Sequence, residues 1–339
     1  MNKGIAIAGT MILDKIKMID VFPEEGMLCN IKSQSICIGG CVCNTAVDIA
    51  MLSGGEIKLY ALGRLGEDQN GQYIIDVLKN NNIDTEGIIS CDTDTSYTDV
   101  MTVVDSGHRT FFHYRGANDE FCVDDIVYDN LNCDILHVGY ALLLDKFDKK
   151  NKEYGTELAK SLYMAQQRGI KTSIDVVSEQ SDRFKEVVTS SLKYCDYITI
   201  NEIEAENVSN ILLRDKDKNI IESNLKKACD FFMAKGVKQV CIHFPEGCAA
   251  MKDNEYRQTP SIRLPDDYIR GNVGAGDAFC AGILYAAYKG FSLQKSIMLA
   301  VCSASCSLSQ ADSISGMADY VSAIELFEKY GLEDGIKII

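Results

Sequence analysis

Proline is scarce: four residues in 339, none of them gathered into a linker. No internal repeat or low-complexity tract divides the chain either, so residues 1–339 read as a single domain. Basic residues are also in short supply, 34 Lys and Arg against 49 Asp and Glu, which leaves a net charge of −15. A surface of that sign repels a polyanion. Nucleic acid is therefore not an expected partner, although a small anionic ligand could still bind locally. The 14 cysteines contain no CxxC pair and no Cys/His cluster at zinc-finger spacing. Cys41 with Cys43 and Cys302 with Cys306 come nearest, and both pairs read as small buried residues of a reducing, cytoplasmic protein. Long apolar runs are missing as well. Near the N-terminus Asp14, Lys15 and Lys17 interrupt the first candidate, so neither a membrane span nor a cleavable leader is expected.

What is present is an ordinary globular composition, 46% hydrophobic and 24% charged, which points to a folded, soluble chain. Short β-branched or apolar runs recur: GIAIAG from Gly4, IKLYALG from Ile57, DILHVGY from Asp134, KTSIDVV from Lys171, DYITINE from Asp196 and KQVCIHF from Lys238. They read as strands buried on both faces of a parallel sheet. Amphipathic segments lie between them, among them CNTAVDIAMLSG, NGQYIIDVLKNN, KEYGTELAKSLYMAQQRG and SNLKKACDFFMAKG, several closing on glycine as helices do. Alternation of this kind predicts an α/β fold with a doubly wound, mostly parallel sheet flanked by helices. Two stretches break the rhythm, about 12–38 and about 96–118, the second alternating around a DSGH turn like a hairpin. Together they predict a small β lid over the C-terminal edge of the main sheet, where open α/β sheets bind ligands.

The stretch RGNVGAGDAFCAGILYA, 270–286, sets small residues against a helix start. Gly274, Ala275 and Gly276 let unpaired backbone amides crowd together where the helix dipole favours an anion. Asp277 follows in the first turn. Taken alone it reads as a carboxylate stabilised by that dipole. An amide nest beside a carboxylate is also the pair that phosphoryl transfer needs, one to stabilise charge and one to accept a hydroxyl proton. No GKS or GKT follows, which removes the P-loop reading, and Phe279 stands where a dinucleotide fingerprint needs its third glycine.

GAGDAFCAGIL, together with GGCVCNTAVDIAMLSG from Gly39, ALGRLGEDQNGQYIIDVLKNNNID and GHRTFFHYRGAN, resembles in order the motifs of the PfkB family of ribokinase-like carbohydrate kinases, from about Gly9 to about Gly316. The resemblance implies a ribokinase-like fold and an ATP-dependent kinase that phosphorylates a hydroxyl of a small sugar or sugar derivative with Mg2+. It implies Asp277 as general base and the amides of Gly274, Ala275 and Gly276 as anion hole. Asp14, Gly39, Gly40 and Asn44 would line the sugar pocket, with Arg115 and Asn118 facing it from the end of the lid. Asn201 and Glu204 in NEIE match the NxxE motif that organises magnesium, Glu204 through water, and the donor phosphates. Gly247 and Asn272 fall in segments that approach the nucleotide. For Asn44 a helix N-cap, for Arg115 a surface ion pair and for NEIE a solvated first helical turn are the plain structural readings.

The match also has gaps. Gly271 and Asn272 replace the Asp and Thr that usually precede GAGD, leaving dependence on a monovalent cation open. Phe244 replaces a glycine, and Val301 a polar residue near the base. Ile12 stands where many ribokinases have asparagine, and DVVSEQ lacks the DxNxR of many fructokinases and ketodeoxygluconate kinases. A nucleoside kinase is the alternative, with Tyr97, Phe111 or Tyr114 stacking on a base. A sugar- and nucleotide-binding regulatory protein without catalysis is the alternative of another class. His108 and His113 read as hairpin residues, and His137 and His243 carry no assigned role. A homodimer through the lid is the partner arrangement the family suggests.

Overall fold

The computed structural model describes residues 3–178, 183–334 and 336–338. Glu179 and Gln180, the end of DVVSEQ, lie outside them. Alternation across the sheet explains the core. In β1 (Ile5–Gly9), Ile5 and Ile7 join one apolar cluster while Ala6 and Ala8 join another, because successive strand residues face opposite ways. The first cluster packs α1 (Cys41–Ser53), α7 (Ala275–Lys289) and α8 (Leu293–Ser307) against one face. The second packs α3 (Glu157–Gln166), α4 (Phe184–Leu192) and α6 (Glu222–Ala234) against the other.

Around β1 lie β4 (Leu59–Gly66), β5 (Ile83–Asp84), β6 (Ile88–Cys91), β9 (Ile135–Ala141), β12 (Lys171–Val176), β13 (Tyr197–Asn201) and β14 (Gln239–Phe244), all in parallel pairings. β15 (Gly247–Lys252) and β16 (Glu255–Pro260) add an antiparallel edge. The resulting order is β16-β15-β14-β13-β12-β9-β1-β4-β5, with β6 also on β4. This is the doubly wound, mostly parallel sheet expected from the sequence. The remaining helices are α2 (Gln69–Asn80), α5 (Glu202–Ser209) and α9 (Tyr320–Tyr330).

A second sheet forms from β2 (Ile12–Ile19), β3 (Ile31–Gly39), β7 (Tyr97–Val103) and β8 (Arg109–Tyr114), in the order β3-β2-β7-β8. β7 and β8 are the expected hairpin, and Gly107, at φ 68°, makes its turn. The end of the anticipated lid segment differs. Residues 116–120 leave the sheet as a single 3-10 turn, so Asn118 belongs to the join with the main body.

One helix starts later than its sequence suggests. KEYGTELAKSLYMAQQRG reads as helical from Lys152, but two short strands, β10 (Lys150–Asn151) and β11 (Gly155–Thr156), pair first. Gly155 sits at φ 94°, outside helical space, and Thr156 caps α3 by accepting from the Ala159 amide.

Candidate active site

The C-terminal ends of β9, β12, β13 and β14 and the first turn of α7 enclose a cavity of about 320 Å³, lined among others by Tyr140, Asp175, Asn201, Glu204, Gly276 and Asp277. This is where strand ends in an open parallel sheet leave a crevice.

Asp277 forms its inner wall. α7 begins at Gly274, whose φ of 80° suits glycine and whose missing side chain leaves room for Ser313: a Cβ would lie 2.6 Å from the Ser313 carbonyl oxygen. Gly276 is different. It has no left-handed φ and a Cβ there would meet His243 only at ordinary contact distance, so its exposure toward the cavity is its distinguishing feature. The Asp277 carboxylate is buried and held from two sides. Asn44 Nδ2 donates to Oδ2 at 2.8 Å, and the Tyr140 hydroxyl lies 2.7 and 2.8 Å from Oδ1 and Oδ2. Burial, then the charge of Asp175, raises its pKa to about 6, against the opposing effect of these hydrogen bonds. Burial likewise pushes the Tyr140 hydroxyl well above its ordinary value, so it is the donor in this pair.

Asn44 is not an N-cap. It lies inside α1, whose cap is Gly40 at φ 84°, and its Oδ1 accepts from Ser313 Oγ at 2.9 Å. The same helix start adjoins the residues expected to line the sugar pocket. Asp14 on β2 lies beside Thr98, which hydrogen-bonds it, and burial raises its pKa to about 6. Gly39 makes room for it, since a Cβ there would fall 2.5 Å from Asp14 Oδ2. A Cβ on Gly40 would fall as close to the Thr10 carbonyl. Asp14, Gly39, Gly40, Asn44 and Asp277 are thus linked through the start of one helix.

On the opposite wall, Asn201 caps α5 and Glu204 completes a capping box. Asn201 Oδ1 accepts from the Glu204 amide at 2.8 Å, and Glu204 Oε2 accepts from the Asn201 amide at 3.0 Å. Ser178 joins the two side chains, donating to Glu204 Oε1 at 2.7 Å and accepting from Asn201 Nδ2 at 3.0 Å. Burial raises the Glu204 pKa to about 7. NEIE is a first helical turn, but not the solvated one of the plain reading: Glu202 and Glu204 are buried, and the turn lies on the cavity wall.

Other expected residues stand apart from the cavity. Arg115 pairs with Asp145 at 3.1 Å, the plain ion-pair arrangement. Asn118 spends its amide on the backbone, accepting from Met11 N at 3.1 Å and donating to Met11 O at 3.0 Å, which anchors the entry to β2. Gly247 lies in the β14–β15 hairpin, where a Cβ would meet the Thr259 carbonyl oxygen at 2.3 Å. Asn272 is exposed in the loop before α7, and the neighbouring Gly271 runs against the Ala311 backbone. Val301 is core. The sequence reading passed over Tyr140, Ser178, Ser313 and Asp175. For Tyr140, Asp175 and Ser178 the available signal is a polar residue in or at the end of an apolar run, as in HVGY and SIDVVS; Ser313, in SQADSISG, has none.

Among the described residues no helix is long and apolar enough to cross a membrane. The chain resembles Probable fructokinase-6, chloroplastic, of Arabidopsis thaliana at 24% identity over 259 residues, 73% of this chain and 61% of that protein. It resembles a nucleoside kinase of Methanocaldococcus jannaschii at 24% identity over 333 residues, 96% of this chain and 97% of that one. In structure it is similar to Arabidopsis thaliana ribokinase complexed with ribose and ATP, with a TM-score of 0.77 at 22% identity, covering 97% of this chain and 99% of that one. The model of the pfkB family carbohydrate kinases matches residues 3–319. The chain therefore belongs to the pfkB family of carbohydrate kinases.

Proposed function

We propose that this kinase transfers the γ-phosphoryl group of ATP to a hydroxyl of a small sugar or sugar derivative, with Asp277 as the base. The observation that carries the reading is the setting of Asp277. It is a buried carboxylate in the first turn of a helix, beside the backbone amides of Gly274, Ala275 and Gly276, and it faces a cavity at the strand ends. Asp277 takes the proton of the acceptor hydroxyl as that oxygen bonds to phosphorus and the bond to the β-phosphate oxygen breaks, releasing ADP. A carboxylate offers about four acceptor sites. Asn44 and Tyr140 each have one hydrogen to give here, so a site remains for the substrate. The three amides stabilise the charge that spreads over the transferring group. Asp14, with Gly39 and Gly40 beside it, holds substrate hydroxyls, and the small sheet closes over them to exclude water.

The donor set fits Mg2+. The cavity is lined by three carboxylates, Asp175, Glu204 and Asp277, and by no lysine or arginine among the described residues. Such a wall repels a bare triphosphate, and the oxygen ligands that Mg2+ prefers are what Glu204 and Asn201 offer. Bound there, the ion would supply positive charge to the donor phosphates. The small sheet ends in two open edges, β3 and β8, with Ile31, Ile36, Phe111 and Phe112 exposed, which supports pairing with a second copy. Sedimentation at micromolar concentration tests this, and a monomer refutes it.

ADP release measured over matched panels of sugars and nucleosides tests the substrate class. A clear preference for a sugar is expected. A preference for any nucleoside would replace the sugar reading with the nucleoside one.

A further inference from the structure

Behind the cavity wall, the sheet face that packs on α7 carries polar side chains where a buried strand normally places apolar ones. His137, Ser173 and Asp175 are among them, with His137 and Ser173 directly paired across β9 and β12. We infer that His137, Asp175 and Cys280 form a binding site for one borderline-soft divalent cation of the zinc or cobalt class, separate from the magnesium position on Glu204.

Three side chains of ligand type meet here. One imidazole nitrogen, one thiol sulfur and one carboxylate oxygen lie within 4.8 Å of one another, all buried. His137 Nε2 stands 3.7 Å from Asp175 Oδ1 and 3.9 Å from Cys280 Sγ. Metal–ligand bonds of about 2.0–2.3 Å at tetrahedral angles set ligand atoms about 3.4–3.6 Å apart. Those two sides close on an ion by shifts of a few tenths of an ångström.

A second observation is independent of the clustering. Asp175 is 7% exposed, and its Oδ1 has no hydrogen-bond partner among the described residues although it points toward His137. Buried carboxylate oxygens are ordinarily paired or bound to a metal, because leaving them bare is costly. His137 is also prepared as a ligand. Its Nδ1 is hydrogen-bonded to Ser173 Oγ at 3.0 Å, which fixes the ring and turns Nε2 toward Asp175 and Cys280. Gly139 keeps the space open, since a Cβ there would fall 2.1 Å from Asp175 Oδ1 and 3.0 Å from His137 Nε2. Asp175 also lines the cavity, so the cluster lies directly behind the space at the strand ends. The mixed nitrogen, sulfur and oxygen set favours zinc or cobalt over the harder magnesium.

The site stands whether or not Asp277 is the base, so it is tested by binding. The full-length protein, reduced and stripped by a chelator, is titrated with Co2+. One ion per chain is expected, with a near-ultraviolet thiolate-to-cobalt band. Cys280→Ser should abolish that band, and Asp175→Asn should weaken binding by about tenfold or more. Zn2+ should displace the Co2+, and millimolar Mg2+ should not. No band in the wild type, a band that survives in Cys280→Ser, or displacement by Mg2+ overturns the proposal. X-ray absorption of the zinc-loaded wild type decides the matter without any variant: a single sulfur neighbour is expected, and none or more than one refutes it.

Discussion

Replacing Asp277 by asparagine should cost the enzyme its chemistry and stabilise its fold. On folding, the affinity of this carboxyl for its proton rises from an ordinary 3.8 to about 6. The folded state holds the proton more tightly than the unfolded chain does. Its contribution is therefore full below pH 3.8, falls as pH rises toward 6, and is lost above that. At about 1.4 kcal/mol for each pH unit, the ionised side chain costs the native state about 3 kcal/mol. Asparagine has the same shape and no charge, and it can still accept from Asn44 and meet the Tyr140 hydroxyl. With an unfolding entropy of about 0.7 kcal/mol/K for a chain of this length, Tm at pH 7.5 should rise by about 4 °C. Below pH 4 the two proteins should melt together. Turnover, followed by ADP release at pH 7.5, should fall by about 10³-fold or more, the range of general base catalysis. A variant keeping a tenth of wild-type kcat would remove Asp277 from the proton transfer, and a Tm unchanged or lowered at pH 7.5 would refute the account of its burial.

Three other outcomes follow from neighbouring contacts. In the wild type, log kcat/KM should fall on the acid side through a pKa of about 6 as Asp277 is protonated, and Tyr140→Phe, which removes a donor to the charged form, should move that limb up by about one unit. A limb that stays put or moves down would mean that the hydroxyl does not act on Asp277. Gly39→Ala drives a Cβ to 2.5 Å from Asp14 Oδ2, so KM for the sugar should rise about tenfold or more while KM for ATP holds; equal changes in both would place the defect in the fold. Glu204→Gln keeps an oxygen for the capping box and loses the charge, and the Mg2+ concentration giving half-maximal rate should rise about tenfold, whereas an unchanged requirement would put the ion elsewhere.

The parts legible in the sequence were those carried by local rules. The continuous apolar run of GIAIAG, the glycine-rich start of α7 and the DSGH hairpin each need only a few consecutive residues, and each stands in the structure as read. Lys152 to Gly155 misled because polar residues before a helix look like its solvent face, and only the backbone at Gly155 shows the break. Arg115 and Asn118 were read from their position after the hairpin. Their partners, Asp145 and Met11, are set by how the chain folds back, and no local pattern announces them. Tyr140 was hidden for the same reason, lying 137 residues from the carboxylate it holds.

The polar residues missed inside the apolar strands share a physical character with Asp277. Asp175 lines the cavity that Asp277 and Glu204 also face, and after burial its charge raises the proton affinity of both. Three carboxylates gathered in one cavity with no lysine or arginine in its lining repel one another. A native protein keeps such an arrangement where its function needs it, at the expense of stability elsewhere. The cavity's ligands should therefore stabilise the protein in proportion to the positive charge they bring. On the proposed reading, ATP accompanied by Mg2+ would carry that charge to the wall, whereas ATP stripped of it would add anion to anion. That electrostatic difference, set by residues far apart in the chain, is the step by which the fold would select the metal-bound form of its phosphoryl donor.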